Sequence, residues 1–402
     1  MTRILFAIIG IAFAFLPQLA AADSNPPDEI FLGMSTVLTG PAAVLGQDMR
    51  RGVMTGLERA NRAGGVNGRK LRLISLDDGY EPSRTAPNMR QLIEQRNVLA
   101  IIGNVGTPTA IVAMPIAIEQ KTLFFAAFTG AGALRKYPTD RYVINFRASY
   151  AEEAGAMIDA LVGELGIRPE EIAILTQRDS YGDAGFNGSI AALKRNGLKD
   201  EKSVLRLRYE RNTLAVENAV AGMVLADPMP RAVVMVGAYA PCAKFIKLCL
   251  ESNIRPLFLN VSFVGSNPLS KELGKTDANV IVMQVVPPLL NLNLEIIRDY
   301  TADLHAFVPG AVPGFGDLEG YIAARIFVAA LEKCKGAPTR ESIVEALESL
   351  GEFDLGLGEL LHLGPVEHQA SHRVWPTILK NGQFVPFIWK DIAGLLKKDD
   401  TP

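Results

Sequence analysis

Short apolar runs alternate along this chain with stretches whose apolar residues recur every three or four positions. The first pattern reads as buried strand and the second as helix. Repeated β-α-β units of this kind close as a parallel sheet with helices on both faces. Strands are expected at Glu29–Thr36, Lys70–Asp77, Leu99–Gly103, Thr122–Ala126 and Tyr142–Phe146. Between them, helices are expected at Gln47–Arg62, Arg84–Arg96 and Pro108–Gln120, with Gly64-Gly65 supplying a left-handed stop to the first.

A second series of similar size follows. Its strands are Glu171–Thr176, Val204–Arg208, Ala232–Val236, Leu257–Asn260 and Val280–Gln284. Helices fall at Glu152–Leu165, Gly185–Asn196, Leu214–Leu225 and Ala240–Glu251, and later at Phe315–Lys333 and Glu341–Leu350. Thr377–Lys380, Asn381-Gly382 and Gln383–Ile388 read as a β-hairpin, since Asn-Gly suits the tight turn between two strands. A chain of 402 residues exceeds what one compact core serves. The fold class is therefore α/β, with two lobes that each carry a mostly parallel sheet flanked by helices.

The N-terminus carries an address. Arg3, the apolar run Ile4–Leu16 and Ala20-Ala21-Ala22 form a secretory signal peptide, with cleavage expected after Ala22. The run is too short to span a bilayer, so the mature chain is expected to be soluble and exported to the periplasm. Formal net charge is -2 with no basic stripe, which gives nucleic acid nothing to bind. Cys242 and Cys249 lie two helical turns apart, about 10 Å, beyond disulfide reach. His362, His368 and His372 are split by Gly364-Pro365, so no metal site is expected there. No cofactor is expected, and no G-x-S-x-G, Walker loop or H-E-x-x-H is present.

In open parallel sheets, ligands bind beyond the carboxyl ends of the strands. Four loops occupy that place. Gly103–Thr109 opens a helix, where free amides and the Thr107 hydroxyl suit a carboxylate. Thr107 also reads as the cap of that helix, with Pro108 at its first position, and the two roles are compatible. Ala126–Gly132 adds Ala127, the Phe128 wall and the Thr129 hydroxyl. Tyr181 and Tyr239 stand on strand-to-helix loops of the second series, each with an apolar face and a polar tip.

Taken in order, these loops resemble the type I periplasmic binding proteins of ABC transporters, in the leucine/isoleucine/valine-binding group. The resemblance runs through Thr39–Gly46, Asn61–Gly68, Leu76–Pro82, Gly103–Thr109, Phe128–Leu134, Tyr181-Gly182 with Gly185, and Gly237–Tyr239. It implies a hinged receptor that closes on a small molecule and delivers it to membrane permease subunits, working as a monomer and catalysing nothing. It implies a first lobe of 29–146 plus 287–361, a second of 147–286 plus 362–392, and a tail of 393–402. It further implies ligand contacts at Gly106, Thr107, Ala127, Phe128, Thr129, Tyr150, Tyr181, Tyr239 and Ser262.

Three departures stand out. Ser262 occupies the place of the family's acid that pairs with a ligand ammonium. Glu152 is a candidate replacement, though with Glu153 it also suits the start of a helix. Leu45 replaces an aromatic. Tyr80 and Gly106 replace both cysteines of the family's first-lobe disulfide. The expected ligand is a small carboxylate, an amino acid or a related acid; a periplasmic sensor for an amide or an aromatic or aliphatic acid is the second reading.

Overall fold

The computed structural model describes residues 29–396, so the export segment read at 1–22 lies outside it. The chain opens with β1 (Glu29–Thr36), α1 (Ala43–Arg62), β2 (Lys70–Asp77), α2 (Pro82–Arg90), β3 (Ala100–Ile102), α3 (Thr107–Glu119), β4 (Leu123–Phe125) and β5 (Val143–Ile144). These strands make a five-stranded sheet in the order β2-β1-β3-β4-β5, parallel throughout.

The second series runs α4 (Tyr150–Gly163), β6 (Ile172–Gln177), α5 (Ser180–Arg195), β7 (Arg206–Tyr209), α6 (Glu217–Val224), β8 (Ala232–Val236), α7 (Tyr239–Glu251), β9 (Leu257–Asn260), α8 (Ser266–Leu273) and β10 (Val280–Gln284). The chain then returns to the first sheet through α9 (Glu295–Phe307), α10 (Phe315–Lys333) and α11 (Arg340–Glu348), followed by the short pair β11 (Gly351–Phe353) and β12 (Leu361–Leu363). Last come β13 (Trp375–Lys380), β14 (Gln383–Pro386) and α12 (Trp389–Leu396). The larger sheet has seven strands in the order β14-β13-β10-β9-β8-β6-β7, with only the β13–β14 hairpin antiparallel to its neighbours. Asn381 and Gly382 both have positive φ, 51° and 79°, as the mirror-image turn demands.

Several family-like motifs turn out to be local architecture. The Asn61 side chain bonds both the amide and the carbonyl of Leu71, clasping α1 to β2. Gly64 and Gly65 lie at φ 108° and 80°, and Asn67-Gly68 makes a tight turn closed by Val66 and Arg69. The Asp77 carboxylate accepts from the amides of Leu38, Thr39 and Gly79.

Small residues set the spacing of α1 and α10. A Cβ on Gly52 would lie 1.9 Å from the Asp317 carbonyl, and one on Gly320 would lie 2.4 Å from that of Met49. The Arg51–Asp317 ion pair, at 2.6 Å, locks the register of the two helices. This contact fixes where the first turn of α10 points. Cys242, Cys249 and Cys334 are all free thiols and all buried.

Candidate ligand-binding site

Positioning begins beneath the loops. The Ser35 amide donates to the Asn104 side chain at 3.0 Å, and the Ser35 hydroxyl donates to Asp78 at 2.8 Å. Asp78 also accepts from the amide of Tyr80 and the hydroxyl of Thr85. This buried polar network ties the loops after β1, β2 and β3 into one block. Ala126, at φ 48°, turns the chain after β4 so that Phe128 pairs with Val105. Left-handed backbone at a non-glycine residue is costly and recurs at functional sites.

The two expected hydroxyls meet on this block. Thr107 Oγ1 and Thr129 Oγ1 are 2.7 Å apart, and both residues are buried. Thr107 does not cap α3. Gly106 takes the cap position, at φ 100°, and Thr107 is the first helical residue, with Pro108 second. The helix begins one residue earlier than its proline suggested, which turns the Thr107 hydroxyl toward Thr129. Arg135 staples the neighbouring loop, donating to the carbonyls of Thr129, Ala131 and Arg147.

Aromatic rings fill the space above. Tyr150 and Tyr181 have ring centroids 5.2 Å apart, Tyr181 and Phe263 4.6 Å, and Phe128 and Phe263 5.4 Å. The Tyr181 hydroxyl donates to the Gly237 carbonyl at 3.3 Å. The buried Tyr150 hydroxyl turns toward Thr129 without completing a hydrogen bond. Gly130 makes room for Tyr150: a Cβ there would lie 2.6 Å from the Tyr150 amide. Tyr239 stands apart from the rings, with its hydroxyl directed at the backbone of Val44 on α1.

Three charged residues missed in the sequence form the other end. Arg147 follows β5 and is 1% exposed. Its guanidinium lies 3.0 Å from Glu153 on α4 and 3.4 Å from Glu319 on α10, over the face of the Phe128 ring. It also donates to the Ser262 hydroxyl. Glu153 accepts in addition from the Ser262 amide at 2.6 Å and hydroxyl at 3.1 Å. The acid beside Ser262 is therefore Glu153. Glu152 completes a capping box with Ser149 and faces His372 at 2.6 Å. Burial pushes Glu153 above the ordinary carboxylate range, against the pull of Arg147. Burial pushes Glu319 up to about 7, again opposed by Arg147.

A sequence signal existed for each. Arg147 lies just past a strand's carboxyl end, like the loops that were chosen. Glu319 sits two residues past Asp317 in the first turns of a helix, among residues otherwise apolar or glycine. Glu153 was hidden by its neighbour, since two acids at a helix start explain themselves. Tyr80, taken only as a changed cysteine, reaches across to the second sheet, where its hydroxyl accepts from Gln177 at 3.3 Å. Its ring packs on Phe263. Of the three histidines, His368 is buried and hydrogen-bonded to the Val143 carbonyl and to Glu348.

The family model described as periplasmic binding protein matches residues 29–383. The chain belongs to the periplasmic binding protein family. A solved structure described as a possible leucine/isoleucine/valine-binding protein from Rhodopirellula baltica SH 1 is 48% identical, with a TM-score of 0.88, covering 92% of this chain and 99% of that one. A substrate-binding periplasmic protein from Ralstonia solanacearum is 27% identical, with a TM-score of 0.82, over 89% of this chain and 100% of that one. Leu/Ile/Val-binding protein homolog 7 of Brucella abortus (strain 2308) is 24% identical over 371 residues, 87% of this chain and 89% of that protein. The binding protein thus has the two-lobed type I fold, in the leucine/isoleucine/valine group. Its relatives bind substrates and are not enzymes.

Proposed function

We propose that this binding protein is the periplasmic receptor of an ABC transporter, capturing one small carboxylate-bearing ligand between its lobes and delivering it to a membrane permease. The observation that carries this reading is the buried Thr107–Thr129 hydroxyl pair at the start of α3. Two paired hydroxyls, with only the long 3.3 Å bond from the Ala131 amide to Thr129 besides, can turn outward together to a carboxylate. The first amides of α3 have no acceptor within the helix and add a positive dipole end. Gly106, Ala127 and Phe128 complete that bed; Tyr150, Tyr181 and Ser262 close over it, while Tyr239 turns its hydroxyl to the backbone of Val44 instead. The names of the Rhodopirellula and Brucella relatives point to aliphatic amino acids as the first ligands to try.

In the present conformation the lobes are shut. The cavity among Phe128, Ser262, Phe315 and Glu319 holds about 20 Å³, room for a water molecule and little more. Ligand access therefore needs the lobes to part. Contacts that must break include Glu81 with Arg211 at 2.8 Å and with Asn212 at 2.6 Å. Lobes of 29–146 plus 287–361 and of 147–286 plus 362–392, with the third crossing near 361–365, belong to this reading. Just past that crossing, His368–Ser371 runs beside Asn145-Phe146. Export through the 1–22 signal and action as a monomer belong to the same reading.

A calorimetric screen of amino acids, aromatic acids and short aliphatic acids tests it. One site per chain is expected, with every hit bearing a carboxylate. Tight binding of a neutral amide with no carboxylate would overturn the choice of ligand class.

A further inference from the structure

Beside the shut cleft lies a larger hollow. It holds about 490 Å³, within the range of small-molecule sites, and shares a wall of Asn267 and Phe315 with the small cleft cavity. Its lining comes from both halves of the molecule. Lys271 of α8 and Phe384 of β14 stand on the side of the larger sheet, Val312 and Phe315 lead into α10, and Leu290 and Leu292 lie on the crossing between β10 and α9. Leu290 and Leu292 are each 60% exposed, and Val312 is 74% exposed. Large apolar side chains left open together around a hollow mark a binding surface.

The hollow is pinned in shape by its own hydrogen bonds. Arg298 donates to the carbonyls of Leu292 and Asn293, each at 2.8 Å, and holds the leucine loop. The Ser270 hydroxyl donates to the Gly382 carbonyl at 2.6 Å and ties the hairpin turn to α8. The Asn267 side chain donates to the Pro313 carbonyl at 3.0 Å and closes the wall toward the cleft. Charge in the lining has one sign. Among the described residues, Lys271 is the one charged side chain that lines the hollow, and it makes no ion pair or hydrogen bond.

We infer that this hollow is a second ligand site, separate from the cleft, which takes an aliphatic monocarboxylate longer than the short acids suited to the cleft. Its chain lies along Leu290, Leu292, Val312 and Phe384, and its carboxylate meets Lys271. A concave wall of leucine, valine and phenylalanine buries an alkyl chain on several sides at once, as a flat partner surface does not. A lone ammonium at the rim attracts an anionic head group and repels a cationic one. Both halves and the crossing line the hollow, so an occupant touches more of the protein when the lobes are shut than when they part. It therefore favours the shut arrangement by differential contact.

The experiment titrates the full mature chain calorimetrically with octanoate and decanoate, below the concentrations at which they form micelles, and with decyltrimethylammonium as the cationic control. One saturable site is expected for each acid, with decanoate about tenfold tighter for its two extra methylenes. Decyltrimethylammonium should bind about tenfold more weakly than decanoate, and Lys271→Gln should weaken decanoate about threefold. Leu290→Asp and Val312→Asp change exposed side chains and so should fold; each should cost decanoate about 30-fold or more in affinity. Thr107→Ala/Thr129→Ala should bind decanoate as the parent does. If decanoate instead loses affinity in that double variant and keeps it in both aspartate variants, the acid sits in the cleft, and the inference falls while the cleft reading stands. No saturable binding of either acid, or decyltrimethylammonium binding as tightly as decanoate, also overturns the inference.

Discussion

Replacing Arg147 with methionine is expected to destabilise the protein by about 3–5 kcal/mol at neutral pH. Arg147 is wholly buried and is the cation that both Glu153 and Glu319 contact. Methionine keeps much of the volume but leaves two acids facing each other in a dry space. The deficit should depend on pH with a definite sign. In the intact protein, burial already raises both acids, and without Arg147 they rise further. An acid raised in the folded state contributes stability at low pH that is lost as pH rises through its folded value. Denaturant unfolding should therefore show a larger gap between Arg147→Met and the parent near pH 8 than near pH 5. Lysine should rescue little, because a point charge cannot span two acids and Ser262 as a planar guanidinium does. A loss under about 1 kcal/mol at both pH values would mean that the acids find other partners.

Gly106→Ala should cost about 3 kcal/mol or more. Two independent effects add here. Gly106 sits at φ 100°, where any side chain is strained. A Cβ there would also lie 2.1 Å from Cε2 of Tyr80, which cannot retreat because its ring packs on Phe263 and its hydroxyl bonds Gln177. Tyr80 itself lies at φ 63°, left-handed for a bulky residue. The pair stands at the positions where the resemblance places the family's first-lobe cysteines, and the tyrosine ring fills the space that a second side chain would need. A double-mutant cycle with Tyr80→Ala separates the effects. The steric part should return in the double variant and the backbone part should not, giving a coupling of about 1–2 kcal/mol. Additive losses would show that the ring and the glycine do not depend on each other.

Much of the fold was legible because its signals are local. The bounds of β1, β2, β8, β9 and β10 coincide with the apolar runs read in the sequence, and the Asn381-Gly382 turn forms as its residues require. Helix starts were harder. α1 begins at Ala43 rather than Gln47, and no side chain caps it, so the sequence carries no start signal there. The helix α9 went unread although Ile296, Ile297, Tyr300 and Leu304 bury one helical face.

The candidate site divided along the same line. Thr107, Thr129, Phe128, Tyr150 and Tyr181 lie on loops or helix starts just past strands, so a topological rule picks them out, and the structure brings them together. Arg147, Glu153 and Glu319 come from three separate elements. Their association depends on the close packing of α10 on α1 through Gly52 and Gly320, which no window of sequence contains. The acid that Ser262 faces, Glu153, is therefore visible only in tertiary contacts.

The central claim, that a ligand carboxylate rests on the paired hydroxyls, is tested most directly by calorimetry on Thr107→Ala/Thr129→Ala against the tightest ligand of the parent protein. Removing both hydroxyls together orphans only the Ala131 amide, whose 3.3 Å bond to Thr129 is long, so folding should survive. Affinity should fall by about 100-fold, as two lost hydrogen bonds to a charged group imply. Affinity within about threefold of the parent, at one site per chain, would place the ligand elsewhere and contradict it.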